Sequence, residues 1–117
     1  MIRIEKLTQS YCLNDINCML PSGKLIGIMG ANGAGKSTLL KTIAGILPLK
    51  QGEIWFDDQP LSKMNAPEKS QYIAYLAQNT QIHWDLSVYD VIALGLATPL
   101  PKEKERSKIQ AFSEKFA

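Results

Sequence analysis

Gly30-Ala31-Asn32-Gly33-Ala34-Gly35-Lys36-Ser37-Thr38 is the stretch from which the rest of the chain can be read. Residues 30–37 satisfy the pattern Gly, any four, Gly, Lys, then Ser or Thr at every fixed position. Before it, residues 24–29 hold the nearly continuous apolar run Leu25-Ile26-Gly27-Ile28-Met29, the composition of a strand buried on both faces. After it, Leu39, Leu40, Ile43, Ala44 and Leu47 recur at helical spacing, with Gly45 and Pro48 ending the helix. A glycine-rich loop between strand and helix can turn successive backbone N–H groups inward. Together with the positive end of the helix, those groups form a nest for a phosphate. Lys36 then reaches the β- and γ-phosphates of a nucleotide, and the Ser37 hydroxyl reaches Mg²⁺. A glycine turn that happens to precede a lysine would lack this strand–loop–helix setting.

Working outward, Ile2, Ile4 and Leu7 begin a short strand, and residues 13–20 form a second with Ile16, Cys18 and Leu20 on one face. Pro21-Ser22-Gly23 turns the chain into the apolar run. Residues 52–56 read as a strand closed by the polar turn Asp57-Asp58-Gln59-Pro60, residues 67–71 as a short helix, and residues 72–77 as a further buried strand. Ser87-Val88-Tyr89-Asp90 has capping-box spacing and opens a helix through Leu94. Pro99 and Pro101 interrupt the chain, and Ile109, Phe112 and Phe116 give an amphipathic helix from Lys102. That helix stops without a cap, as expected of a chain cut short.

The 117 residues fit one domain, and 45% hydrophobic with 21% charged residues is the balance of a folded chain rather than a disordered one. The longest stretch free of Asp, Glu, Lys and Arg, residues 70–84, is broken by Gln, Asn and Thr, so no membrane-spanning helix is expected. The start lacks the apolar segment of a secretion signal. The net charge of +2 arises wholly after residue 101, in a mixed-sign segment that reads as a solvated helix face; nucleic acid is not an expected partner. Cys12 and Cys18, if joined by extended chain, lie roughly 20 Å apart and stay reduced. With His83 they make no zinc set.

The phosphate loop begins at residue 30, behind two antiparallel strands, whereas small-molecule kinases place it after their first strand. The Asn-Lys-x-Asp and Asp-x-x-Gly motifs of guanine-nucleotide switches are not found. The layout instead resembles the ATPase subunit of ABC transporters, over nearly all of the chain. Tyr11 lies 19 residues before Gly30, where the family places an aromatic residue that stacks on adenine. Base stacking of this kind contributes about 1–3 kcal/mol in nucleic-acid binders. Cys12 follows it where the family often has Gly. Residues 30–40 resemble the family's own form of the phosphate loop, and Tyr72-Ile73-Ala74-Tyr75-Leu76-Ala77-Gln78 resembles the strand entering its Q-loop.

The resemblance implies an α/β P-loop NTPase domain, here its N-terminal portion. Residues 1–78 would form a nucleotide-binding core with an antiparallel β subdomain, and residues 79–117 the Q-loop and the start of a helical subdomain. ATP would be held by Tyr11, Gly30, Ala31, Asn32, Gly33, Ala34, Gly35, Lys36, Ser37 and Thr38, and Mg²⁺ by Ser37 and Gln78. Gln78 would link γ-phosphate to motion at a membrane permease, and Gln81-Ile82-His83-Trp84-Asp85-Leu86-Ser87-Val88 would face that permease, with Trp84 as an anchor. The implied partners are an integral-membrane permease, a second ATPase subunit and, indirectly, an extracytoplasmic binding protein. The implied location is cytoplasmic, on the inner face of the cell membrane.

With zinc or manganese importers next, residues 78–95, especially 86–95, most resemble importers of iron–siderophore, haem or cobalamin. Those proteins often continue with Gly-Arg and a nearby Pro, where this chain has Gly95-Leu96-Ala97-Thr98-Pro99. The alternatives are a soluble ABC ATPase of translation or DNA repair and a non-catalytic nucleotide-binding remnant. Ile54-Trp55-Phe56-Asp57-Asp58 imitates the family's Walker B strand but is too short and runs into Pro60, so its acids read as turn residues. Asp85 and Asp90 match no catalytic position. The signature motif, Walker B strand, catalytic Glu and switch His find no match, so no residue is assigned as catalytic, and the chain is expected to bind ATP better than it hydrolyses it.

Overall fold

A computed structural model describes residues 1–10, 12–79, 85–95 and 102–116. Tyr11, His83, Trp84, Pro99 and Pro101 lie outside this set, as does the side chain of Phe116. The chain divides into two compact units, Met1–Tyr75 and Leu76–Ala117.

The first unit contains β1 (Ile2–Gln9), β2 (Leu13–Leu20), α1 (Lys36–Ile43), β3 (Gln51–Phe56), β4 (Gln59–Pro60), a 3₁₀ turn (Leu61–Lys63) and α2 (Ala66–Tyr72). The strands form one sheet in the order β2-β1-β3-β4, with every pair antiparallel. In β1, Ile4 and Leu7 are both buried although they are three residues apart, a spacing that a regular strand sends to opposite faces. The register explains this. From Ile4↔Cys18 to Leu7↔Ile16, β1 advances three residues against two on β2, and from Glu5↔Glu53 to Thr8↔Gln51 three against two on β3. One extra residue therefore bulges from β1, at Lys6, whose φ of 50° is left-handed and whose N–H donates to Asn17 Oδ1 at 2.8 Å.

The face so aligned joins Ile4, Leu7, Leu13, Ile54, Phe56, Leu61 and Met64 in one core, which Ile43 of α1 also enters. Fully burying one such side chain contributes about 1.5–3 kcal/mol. On the opposite face, the Arg3 guanidinium lies 5.1 Å from the Trp55 ring centroid, and Trp55 Nε1 donates to Glu5 Oε2 at 3.2 Å. α2 starts with a capping box: Glu68 N–H donates to Asn65 Oδ1 at 2.9 Å, and Asn65 N–H to Glu68 Oε2 at 2.8 Å. It ends with the Tyr72 ring 6.3 Å from that of Phe56.

Two expected strands are not formed. Residues 24–29 enter no ladder, and Leu25 and Met29 are 103% and 93% exposed. Of residues 72–77, Tyr72 closes α2, and the Ile73 N–H donates to Lys69 O at 2.9 Å as its cap. Residues 73–77 join no sheet, and Leu76 is 89% exposed. An apolar run becomes a buried strand only when a neighbour on each side takes its N–H and C=O groups. Among the described residues neither run is paired into a sheet.

The second unit contains α3 (Val88–Leu94) and α4 (Lys102–Phe116). α3 begins with the expected capping box: Asp90 N–H donates to Ser87 Oγ, and Ser87 N–H to Asp90 Oδ2, both at 3.1 Å. Tyr89 Oη donates to Glu105 Oε1 at 3.1 Å, joining the two helices. Ile109 is buried, whereas Phe112, expected on the same apolar face, is 53% exposed. Among the described residues no helix is long and apolar enough to cross a membrane.

The β1 bulge requires Gly52. Its φ is +86°, and a Cβ there would stand 2.4 Å from Glu5 O and 2.5 Å from Lys6 O. Gly52→Ala is expected to lower the unfolding free energy by about 3 kcal/mol, since backbone overlap adds to the left-handed penalty. Gly23→Ala, at φ +67° with nothing within 4 Å, is expected to cost about 1 kcal/mol. Urea denaturation of both variants checks this, and equal losses would refute the bulge argument.

Candidate functional site

Residues 30–37 run into the first turn of α1 without a side-chain cap. The N-cap is Gly35, at φ +94°, and no acidic residue stands in the first turn. The leading N–H groups of the helix therefore keep their positive end clear for an anion. Gly33, at φ +83°, has nothing within 4 Å of where its Cβ would be, so the loop's outer surface is open. Ala34 N–H donates to Ala31 O at 3.2 Å, closing a turn inside the loop. Lys36 Nζ donates to Gly30 O at 2.7 Å and to Ala31 O at 2.8 Å, so the ammonium folds back over the loop that carries it. Ser37 is exposed, and Thr38 is half-buried.

The sheet holds this loop through α1. Thr42 is fully buried and its Oγ1 donates to Thr38 O at 2.7 Å, Ile43 is 9% exposed, and Leu39 packs on the core. A second support is the turn between β1 and β2. Cys12 Sγ lies 3.1 Å from Ser10 Oγ and donates to Thr38 Oγ1 at 3.8 Å. A Cβ on Gly35 would meet Leu13 Cδ2 at 3.0 Å and Cys12 Sγ at 3.1 Å. The Ser10 and Thr38 hydroxyls hold the Cys12 thiol below its ordinary pKa, against the opposing effect of burial. Cys12 and Cys18 are both free thiols.

The structure thus brings residues 30–38 together at one helix end. Tyr11 lies outside the described residues, and Gln78 stands on an exposed bend of the second unit. Asp57 and Asp58 form the turn between β3 and β4, with the Met1 amino group 2.6 Å from Asp57 Oδ1. Neither belongs to the phosphate loop. The Cys12 contacts with Gly35 and Thr38 and the burial of Thr42 had no signal in the sequence, because each depends on chain segments meeting through space.

A family model described as ABC transporter matches residues 13–117. The chain belongs to this family. An ABC relative, a hemin import ATP-binding protein (HmuV) of Bordetella parapertussis, is 41% identical over 77% of this chain and 34% of its own length. A zinc transport system ATP-binding protein (TroB) of Treponema pallidum is 35% identical, covering 92% of this chain and 43% of that protein. A manganese transport system ATP-binding protein (MntB) of Listeria innocua is 32% identical, covering 97% and 54%. The chain therefore spans about a third to a half of the length of these relatives. Among solved structures, the ATP-binding cassette MJ0796, a dimer in a post-hydrolysis state bound to ADP and Pi, superposes with a TM-score of 0.77 at 20% identity. That match covers 95% of this chain and 55% of that one, and it supports the ABC ATPase fold.

The lowered thiol pKa has a direct readout. In a Cys18→Ala background, the alkylation rate of Cys12 by iodoacetamide should reach half its plateau at a pH below the value for the same thiol in the urea-unfolded chain. A midpoint at or above that value would show that the two hydroxyls do not stabilise the thiolate.

Proposed function

We propose that these residues are the nucleotide-binding portion of an ATPase that powers import through a membrane permease. The observation that carries the reading is the open phosphate loop at an uncapped helix start, with the Lys36 ammonium already over it. In this proposal the backbone N–H groups of residues 30–38 hold the β-phosphate, and Lys36 bridges β- and γ-phosphates. Tyr11 stacks on adenine, and Ser37 and Gln78 supply oxygen ligands of the kind Mg²⁺ prefers. Mg²⁺ held by these residues would supply neutralisation of phosphate charge. Phosphoryl transfer to water depends chiefly on positioning and charge stabilisation, and residues 30–38 supply the positioning of the nucleotide.

The cargo class rests on the relatives, which are named for import of hemin and transport of zinc and manganese. We infer haem, iron–siderophore, cobalamin or a transition-metal ion as cargo. The partners are a permease, a second ATPase subunit and, through the permease, an extracytoplasmic binding protein. The site of action is the cytoplasmic membrane face, with Gln78 coupling γ-phosphate to the permease.

Calorimetric titration with Mg²⁺–ATP tests the reading. Lys36→Ala is expected to weaken binding about 10- to 100-fold, as hydrogen bonds to a charged group are worth about 1.5–3 kcal/mol. Undiminished affinity in that variant would overturn the assignment. The 117-residue chain is expected to bind without turnover above background, because none of its acids is assigned as a catalytic base. Phosphate release that rises with protein concentration and disappears in Lys36→Ala would contradict this.

A further inference from the structure

We propose that Cys12 is a positioning residue of the phosphate loop, its thiol forming the wall against which the start of α1 is set. Cys12 is 26 residues from Thr38 in sequence, yet it touches both ends of the turn that opens the helix. On one side its Sγ and Cβ occupy the space a residue-35 side chain would take, at 3.1 and 3.2 Å from an ideal Cβ. On the other side the thiol donates to Thr38 Oγ1 at 3.8 Å. Between these contacts lies the first α-helical hydrogen bond, from Leu39 N–H to Gly35 O at 2.8 Å. Leu13, 4% exposed, anchors the same turn in the core, so the wall cannot recede freely. Bulk added at Sγ must therefore displace Gly35 or Thr38, and with them the N–H groups that face the phosphates. Removing the wall leaves the helix start without a stop.

This inference rests on the nucleotide-binding reading, and the test separates the two. In a Cys18→Ala background, methyl methanethiosulfonate adds a single S–CH₃ to Cys12. Mg²⁺–ATP and Mg²⁺–tripolyphosphate are then titrated calorimetrically, the second probe having no base to contact. Modification should weaken both ligands about tenfold or more, equivalent to about 1.4 kcal/mol. Dithiothreitol should restore them, and bound ATP should slow the modification. Circular dichroism checks that the fold survives; if it does not, Cys12→Val takes the place of the modified protein. Cys12→Ser, which conserves size and a hydrogen-bonding atom, should recover the affinity that Cys12→Val loses. Unchanged affinity for both ligands after modification, with Lys36→Ala still weakening binding about 10- to 100-fold, would overturn the role of Cys12 and leave the nucleotide reading intact. No binding by the unmodified chain would remove both.

Discussion

The close approach of Gly52 to the carbonyl groups of Glu5 and Lys6 accommodates one extra residue in β1 between Ile4 and Leu7, against both of its neighbours at that point. Without that extra residue, Ile4 and Leu7 would face opposite sides of the sheet. With it, both join Ile54 and Phe56, and a single apolar surface forms on which α1 rests through Ile43 and Leu39. The phosphate loop inherits its position from that contact. A glycine in β3, remote in sequence from the glycine-rich loop, thus helps to decide where that loop stands.

Helix α1 meets conflicting demands, because its first turn must leave N–H groups open while the rest is held firmly. The division is visible along its length. Gly35 offers no side chain to cap the amides, whereas Thr42, one residue from the end, is wholly buried and bonded back to Thr38 O. Stability comes from the far end of the helix, and function is left to the near end, where exposed polar backbone would otherwise be a weakness.

Features governed by nearest neighbours were legible in the sequence. The phosphate loop, β2, β3 and the capping box at Ser87 follow from spacing alone, since each is determined within a few residues. The Ile4–Leu7 spacing was visible too, but its cause lay in a bulge that only pairing with two other strands reveals. Residues 24–29 and 72–77 have the composition of buried strands and do not form them here, because strand formation needs partner strands as well as composition. Similarly, Cys12 stood out only as a residue in place of glycine, and its meeting with Gly35 and Thr38 required the turn and the helix to be placed together. The roles read for Tyr11 and Gln78 rest on resemblance.

The ammonium group of Lys36 has three protons, and two of them are already engaged by the Gly30 and Ala31 carbonyls. The third has its direction set by the other two, as the last leg of a tripod is set by the first two. A long side chain that would otherwise lose up to about 2 kcal/mol of rotamer freedom on meeting its ligand has been immobilised in advance by its own loop. On the proposed nucleotide-binding reading, an incoming phosphate would meet a preoriented donor rather than a searching one, and the entropy of that search would be lost during folding instead of during binding.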